Sequence, residues 1–167
     1  MSYEEHKHLS PQKVNCAVLI ISDSRTEKTD ESGKLLVEGL KGAGHDVVSF
    51  ALLKNDREAI QSKMGELLHS ADVKVIITSG GTGASKMDIT IETVLPMLEK
   101  RLDGFGELFR YLTYQEIGTG SILSRATAGV ALGKVVICLP GSLKAVRLAL
   151  EKIILPEIGH LVREATR

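Results

Sequence analysis

"VKVIITSGGTGASKMD", Val73 to Asp88, sets an apolar run directly against a glycine-rich polar one. "VKVIIT" has the length and β-branched content of a buried strand. Glycines at 80, 81 and 83 follow, with hydroxyls at Thr78, Ser79, Thr82 and Ser85, then Lys86 and Asp88. Glycine backbone reaches positive φ and approaches a ligand closely. Successive N–H groups can then face one anion, helped by the amino end of the next helix. A plain strand-to-helix turn uses the same glycines, so local sequence leaves both readings open. The lysine is not preceded by glycine, so this is no P-loop. Lys86 also stands where a dinucleotide fingerprint needs its third glycine, which disfavours a nicotinamide-dependent oxidoreductase.

Upstream, "VNCAVLIIS" (Val14–Ser22) reads as a strand buried on both faces. Lys34–Ala43 places Leu35, Leu36, Leu40 and Ala43 on one helical face, and Gly44 can end that helix. "DVVSFALL" is a second strand. Asn55 with Glu58 three residues on resembles a capping box, opening a helix with Ile60, Met64, Leu67 and Leu68 on one face. Strand, helix, strand, helix, strand predicts parallel strands joined by right-handed crossovers.

Downstream, helices are predicted over about Ile89–Leu98 and Asp103–Gln115. "ATAGVALGKVVICLPG" reads as two short strands around a turn at Gly133, so the sheet is expected to be mixed. Ser142 can cap a helix to about Leu155, where Pro156 interrupts before an amphipathic end. Residues 1–13 read as a tail and 14–167 as one α/β domain.

Composition sets the limits. The 167 residues carry no net charge and have pI near 7, so no basic footprint of a nucleic-acid binder is visible. No apolar run reaches the roughly 18 residues of a membrane span. The polar N-terminus lacks a signal peptide's apolar core, so a cytoplasmic location is expected. Cys16 and Cys138 lie in apolar runs and read as buried thiols. The five histidines are scattered, and none has zinc-ligand company by spacing.

Ligands of open α/β sheets bind beyond the carboxyl ends of the strands. Those ends read "SDSR" (Ser22–Arg25), "LKND" (Leu53–Asp56), "TSGGTG" and "LPGS" (Leu139–Ser142). All four are expected on one edge. A carboxylate repels phosphate, so Asp88 fits phosphate binding with a magnesium ion between them; it also suits a helix cap. Asp56 suits a metal or a helix first turn, Asp23 an Asx-turn, and Ser142 a cap.

"TSGGTGASKMDIT" resembles the T-x-G-G-T-G-x-x-x-x-D-x-T signature of the MoaB/MogA family of molybdenum cofactor biosynthesis proteins. "VLIISDSR…DESG", "EIGTGSILSRATAGV", "LPGS" and "ILPEIGHLV" extend the likeness over nearly the whole chain from Val14. The resemblance implies a three-layer α/β/α sandwich with a mostly parallel sheet, assembled as a homotrimer or hexamer. It implies magnesium-dependent transfer of AMP from ATP to the terminal phosphate of molybdopterin, and transient contact with a metal-insertion protein. By motif position Asp56 and Asp88 match the functional, metal-holding aspartates. Gly80, Gly81, Thr82 and Gly83 match the phosphate loop, with Lys86 beside it; Ser22, Asp23 and Ser142 match other pocket positions. Met87 stands where the family often has arginine. A non-catalytic molybdopterin- or nucleotide-binding protein of the same fold is the alternative.

Overall fold

A computed structural model describes residues 1–167. In chain order it contains α1 (Tyr3–His8), β1 (Asn15–Ile21), α2 (Glu31–Gly42), β2 (Asp46–Leu53), α3 (Arg57–His69) and β3 (Val75–Ser79). There follow α4 (Thr90–Val94), β4 (Lys100–Arg101), α5 (Asp103–Ile117), β5 (Thr127–Ala131), β6 (Lys134–Leu139), α6 (Leu143–Ala149) and α7 (Leu155–Ala165). The strands form one sheet in the order β2-β1-β3-β6-β5-β4. β1, β2, β3 and β6 are parallel, while β5 runs antiparallel to β6 and to β4.

Alternation along β1 builds two cores. Cys16, Val18 and Ile20 join one apolar cluster with Leu36, Phe109 and Val146; Ala17, Leu19 and Ile21 join another with Ile60, Met64 and Ile91. Successive strand side chains point to opposite faces, so the sheet is covered on both. The result is the expected three-layer sandwich with a mixed sheet. No helix is long and apolar enough to cross a membrane. Burial pushes the thiols of Cys16 and Cys138 up to about 12 and about 11.

Local chemistry explains the departures from the sequence reading. Asp56, not Asn55, caps α3: its Oδ1 accepts from Ala59 N–H at 2.8 Å. The helix predicted to Leu98 stops at Val94 and tightens into a 3₁₀ turn, Leu95–Met97, around Pro96. Pro156 does not break the chain's last helix. Leu150–Ile154 widens into a π turn, and helical dihedrals run through Leu155 into α7. That wider turn accommodates a residue that has no N–H and crowds the carbonyl four before it. Leu132 (φ 49°) and Gly133 (φ 70°) form the two-residue turn of the β5–β6 hairpin.

The segment read as a tail carries α1, started by a Ser2–Glu5 capping box. It docks on α7: Lys7 Nζ donates to Glu157 Oε1 at 2.8 Å, and His6 Nδ1 lies 2.8 Å from Glu164 Oε1. His6, His160 and Glu164 thus meet, which their spacing in sequence hides. Two guanidiniums bring positive charge there: Arg163, 3.0 Å from His6 Nδ1 and 2.5 Å from Glu164 Oε1, and Arg167, 2.9 Å from Glu164 Oε2.

Candidate functional site

Strand order places the site. β2 lies on one side of β1 and β3 on the other, so the chain reverses direction between β1 and β3. Loops leaving these two carboxyl ends diverge and open a crevice. A cleft of about 730 Å³ occupies it, lined by Ser22, Asp23, Arg25, Asn55, Gly80–Gly83, Met87, Asp88 and Pro140–Ser142. Its far wall comes from α5, α6 and the 3₁₀ segment Gly118–Leu123, including Glu116, Ile117, Leu123 and Lys144. All four strand-end groups converge as expected. The volume suits a small-molecule ligand.

Each loop is held by its own polar residues. Ser22 Oγ accepts from Ser24 and Arg25 N–H at 3.3 and 3.1 Å, turning the chain after β1. Asp23 closes no Asx-turn. Its Oδ1 accepts from Asn55 N–H at 2.9 Å and its Oδ2 from the Asn55 side-chain amide at 3.0 Å. These bonds, backbone first, hold the Asp23 carboxyl below its ordinary value. Ser142 caps α6 through Ala145 N–H at 3.2 Å, as its position predicts.

Hydrogen bonds to two neighbouring segments tie the glycine loop in place. Gly80 N–H donates to Leu139 O at 2.9 Å, and Thr90 donates through Oγ1 to Gly80 O and through N–H to Gly81 O, both at 2.9 Å. Gly80 (φ 101°) and Gly81 (φ 66°) take left-handed dihedrals; Gly83 does not. Gly83 is required for space instead, since a Cβ there would lie 2.5 Å from Asp88 Oδ2. Asp88 caps no helix: the N-cap position of α4 is Ile89, and α4 starts at Thr90 without a side-chain cap. Its Oδ2 accepts from Ser85 Oγ at 2.8 Å and Ser85 N–H at 3.2 Å, closing the loop on itself.

Two expected site residues stand outside the lining. Asp56 is exposed, with Oδ1 drawn to the unpaired N–H groups at the start of α3. Lys86 is exposed on the turn that Ser85 and Asp88 close. The cationic side chains of the lining are Arg25 and Lys144. Arg125 braces the loop from behind, donating to Gly83 O at 2.7 Å and pairing with Glu92. Burial, the largest single influence, pushes the Glu92 carboxyl up, but the Arg125 bond, a backbone hydrogen bond and the charges of Arg125 and Arg57 together outweigh it, and the carboxyl lies below its ordinary value.

Sequence reasoning did not select Arg25, Asn55, Arg125 or Lys144. Arg25 and Asn55 were within reach, because both sit in the strand-end groups already singled out. Arg125 and Lys144 come from elsewhere in the chain and are legible only once the wall of the cleft is in place.

A family model described as "Probable molybdopterin binding domain" matches residues 17–160. Molybdenum cofactor biosynthesis protein B of Bacillus cereus is 51% identical over 168 aligned positions, covering 100% of this chain and 99% of that protein. A crystal structure of a molybdenum cofactor biosynthesis protein B, also 51% identical, superimposes with TM-score 0.90 over 93% of this chain and 98% of that one. The tungsten cofactor synthesizing protein MoaB of Pyrococcus furiosus, 36% identical, gives TM-score 0.85 over 95% of this chain and 100% of that one.

Proposed function

The chain belongs to the molybdenum cofactor biosynthesis family, and we propose that it transfers AMP from ATP to the terminal phosphate of molybdopterin with the help of magnesium. The observation that carries this reading is the convergence of four strand-end loops on one cleft around Gly80–Gly83.

An oxygen of the molybdopterin phosphate attacks the α-phosphorus of ATP. The new P–O bond forms as the bond to the bridging oxygen breaks, and pyrophosphate leaves. A phosphate monoester has its second pKa at about 6, so the attacking group is already largely dianionic and needs no base. The protein's task is to hold two mutually repelling anions in line. Gly80–Gly83 brings backbone close to phosphate. The hydroxyls of Ser22 and Ser142 accept backbone N–H bonds, which leaves each hydroxyl proton for a ligand.

The oxygen donors present fit a hard divalent cation. Asp88 uses only Oδ2 for hydrogen bonds, Asp23 lines the same cleft, and Asn55 Oδ1 is buried without a partner. Asp56, with Oδ1 taken by the α3 cap, would act through water. Magnesium, when bound, neutralises charge developing on the leaving pyrophosphate.

Assembly belongs to the same proposal. Tyr111, Tyr114, Ile117, Ile122 and Leu123 are between 56% and 79% exposed along α5 and the 3₁₀ segment. Such a band is more apolar than a free surface normally carries, which supports a homotrimer or hexamer.

One observation favours a second reading, binding without transfer. Met87, 59% exposed, occupies the lining beside Asp88, where a cation would help a departing anion. Mass spectrometry after incubation with Mg-ATP and molybdopterin separates the two. The transferase reading expects adenylated pterin and pyrophosphate; unchanged pterin that still binds the protein would establish the second.

A further inference from the structure

The Arg25 side chain is only 30% exposed, and its position in the cleft is tied at two points. Its Nη2 donates to Gly141 O at 2.7 Å, a carbonyl that also accepts from Ser32 Oγ at 2.9 Å. Its Nη1 lies 3.9 Å from Asp30 Oδ1. Asp30 is 1% exposed. Its Oδ1 caps α2 through Gly33 N–H at 2.9 Å, while Oδ2 is buried with no hydrogen-bond partner. A buried carboxylate left partly unsatisfied is costly without a nearby positive charge, and Arg25 is the cation within salt-bridge distance of it. Asp30 thus holds the guanidinium where the β1, β3 and β6 loops meet.

Gly141, which Arg25 grips, touches the phosphate loop: a Cβ on Gly141 would lie 3.2 Å from Gly80 Cα and 3.9 Å from Arg25 Nη1. Most of the guanidinium's N–H donors remain free of protein partners. A planar fork of such donors suits phosphate better than any other side chain does. We propose that Arg25 is a phosphate-binding residue of this cleft, gripping a phosphate or pyrophosphate group against Gly80–Gly83, and that Asp30 is its positioning residue. The inference rests on the phosphate reading of the cleft but not on transfer taking place.

The test is calorimetric binding of inorganic pyrophosphate, with magnesium and without ATP, to the full chain. Arg25→Ala should weaken binding about tenfold or more, the loss expected of a charge-assisted pair. Arg25→Lys should restore part of it, keeping charge without the fork. Lys28→Ala, which removes an equal charge from the exposed loop outside the lining, should leave binding within about twofold. Asp30→Asn preserves the cap, because asparagine caps as well as aspartate. It should weaken binding in the native background and have no further effect on top of Arg25→Ala. Thermal unfolding of each variant verifies the fold. Failure of the wild-type protein to bind pyrophosphate, or Arg25→Ala binding it within about twofold, would overturn the role of Arg25. An Asp30→Asn effect undiminished by Arg25→Ala would overturn the positioning role. Since no turnover is needed, a failed transferase assay leaves this result intact.

Discussion

Asn55 holds Asp23 from two sides, through its backbone N–H at 2.9 Å and its side-chain amide at 3.0 Å. The pair ties the end of β2 to the end of β1 across the mouth of the cleft. Neither residue carries opposite charge to the other; the depression of the Asp23 carboxyl comes from donated hydrogen bonds, which favour the charged form. Asn55→Ala keeps the backbone N–H, the larger cause, and removes the side-chain bond, so it should raise the Asp23 pKa only part of the way toward its ordinary value of 3.8. A carboxyl-carbon NMR titration of the two proteins reads this directly. The stabilisation these bonds give is present above the ordinary value and lost as pH falls through the lowered one.

His45 gives a second pH response, of a different origin. It is 7% exposed, and its Nδ1 accepts from Val14 N–H at 3.2 Å. Burial holds its pKa below the ordinary 6.5. The unfolded chain then binds the proton more readily. Stability is complete above 6.5 and falls as pH drops through the lowered folded value. Urea midpoints between about pH 8 and pH 5 should show this decline, and His45→Gln should flatten it.

The glycines of the loop should separate by mechanism. A Cβ at Gly80 would stand 2.1 Å from Ile21 O, on a backbone already at φ 101°. Gly80→Ala should cost about 2–3 kcal/mol of stability. Gly83 has no positive φ, and the atoms nearest to a Cβ there all belong to the Asp88 carboxylate. Gly83→Ala should cost less than about 1 kcal/mol yet lower transfer about tenfold by displacing Asp88. Denaturant melts and product assays on the same samples check both.

Leu132 offers a gain. It sits at φ 49° in the β5–β6 turn and is 54% exposed. Leucine resists the left-handed region, which asparagine tolerates. Leu132→Asn should stabilise the protein by about 0.5–1 kcal/mol, visible as a higher urea midpoint with unchanged slope.

The layers of the fold were legible because buried strands and one-sided helices write their periods into the chain. β2 matches its predicted span at both ends, from Asp46 to Leu53. What the sequence hid depends on contacts distant in the chain. Whether Asn55 or Asp56 caps α3 turns on Asp23, which claims the Asn55 N–H from 32 residues away. α1 was read as a tail because the partners that dock it lie on α7, as Glu157 does for Lys7 150 residues away. The site divided in the same way. Strand ends identified one edge and the glycine loop. They did not distinguish Arg25, held in the cleft by Gly141, from Lys86, which has a similar charge but stands outside it.

The central claim is adenylyl transfer that depends on the Asp88 carboxylate in this cleft. The measurement is the rate of adenylated molybdopterin formation from Mg-ATP by the native protein and by Asp88→Asn, followed by mass spectrometry, with thermal unfolding of both. The account predicts steady product from the native protein, a loss of at least about a hundredfold in the variant, and melting temperatures that nearly coincide. A folded Asp88→Asn protein that forms product at the native rate would contradict it.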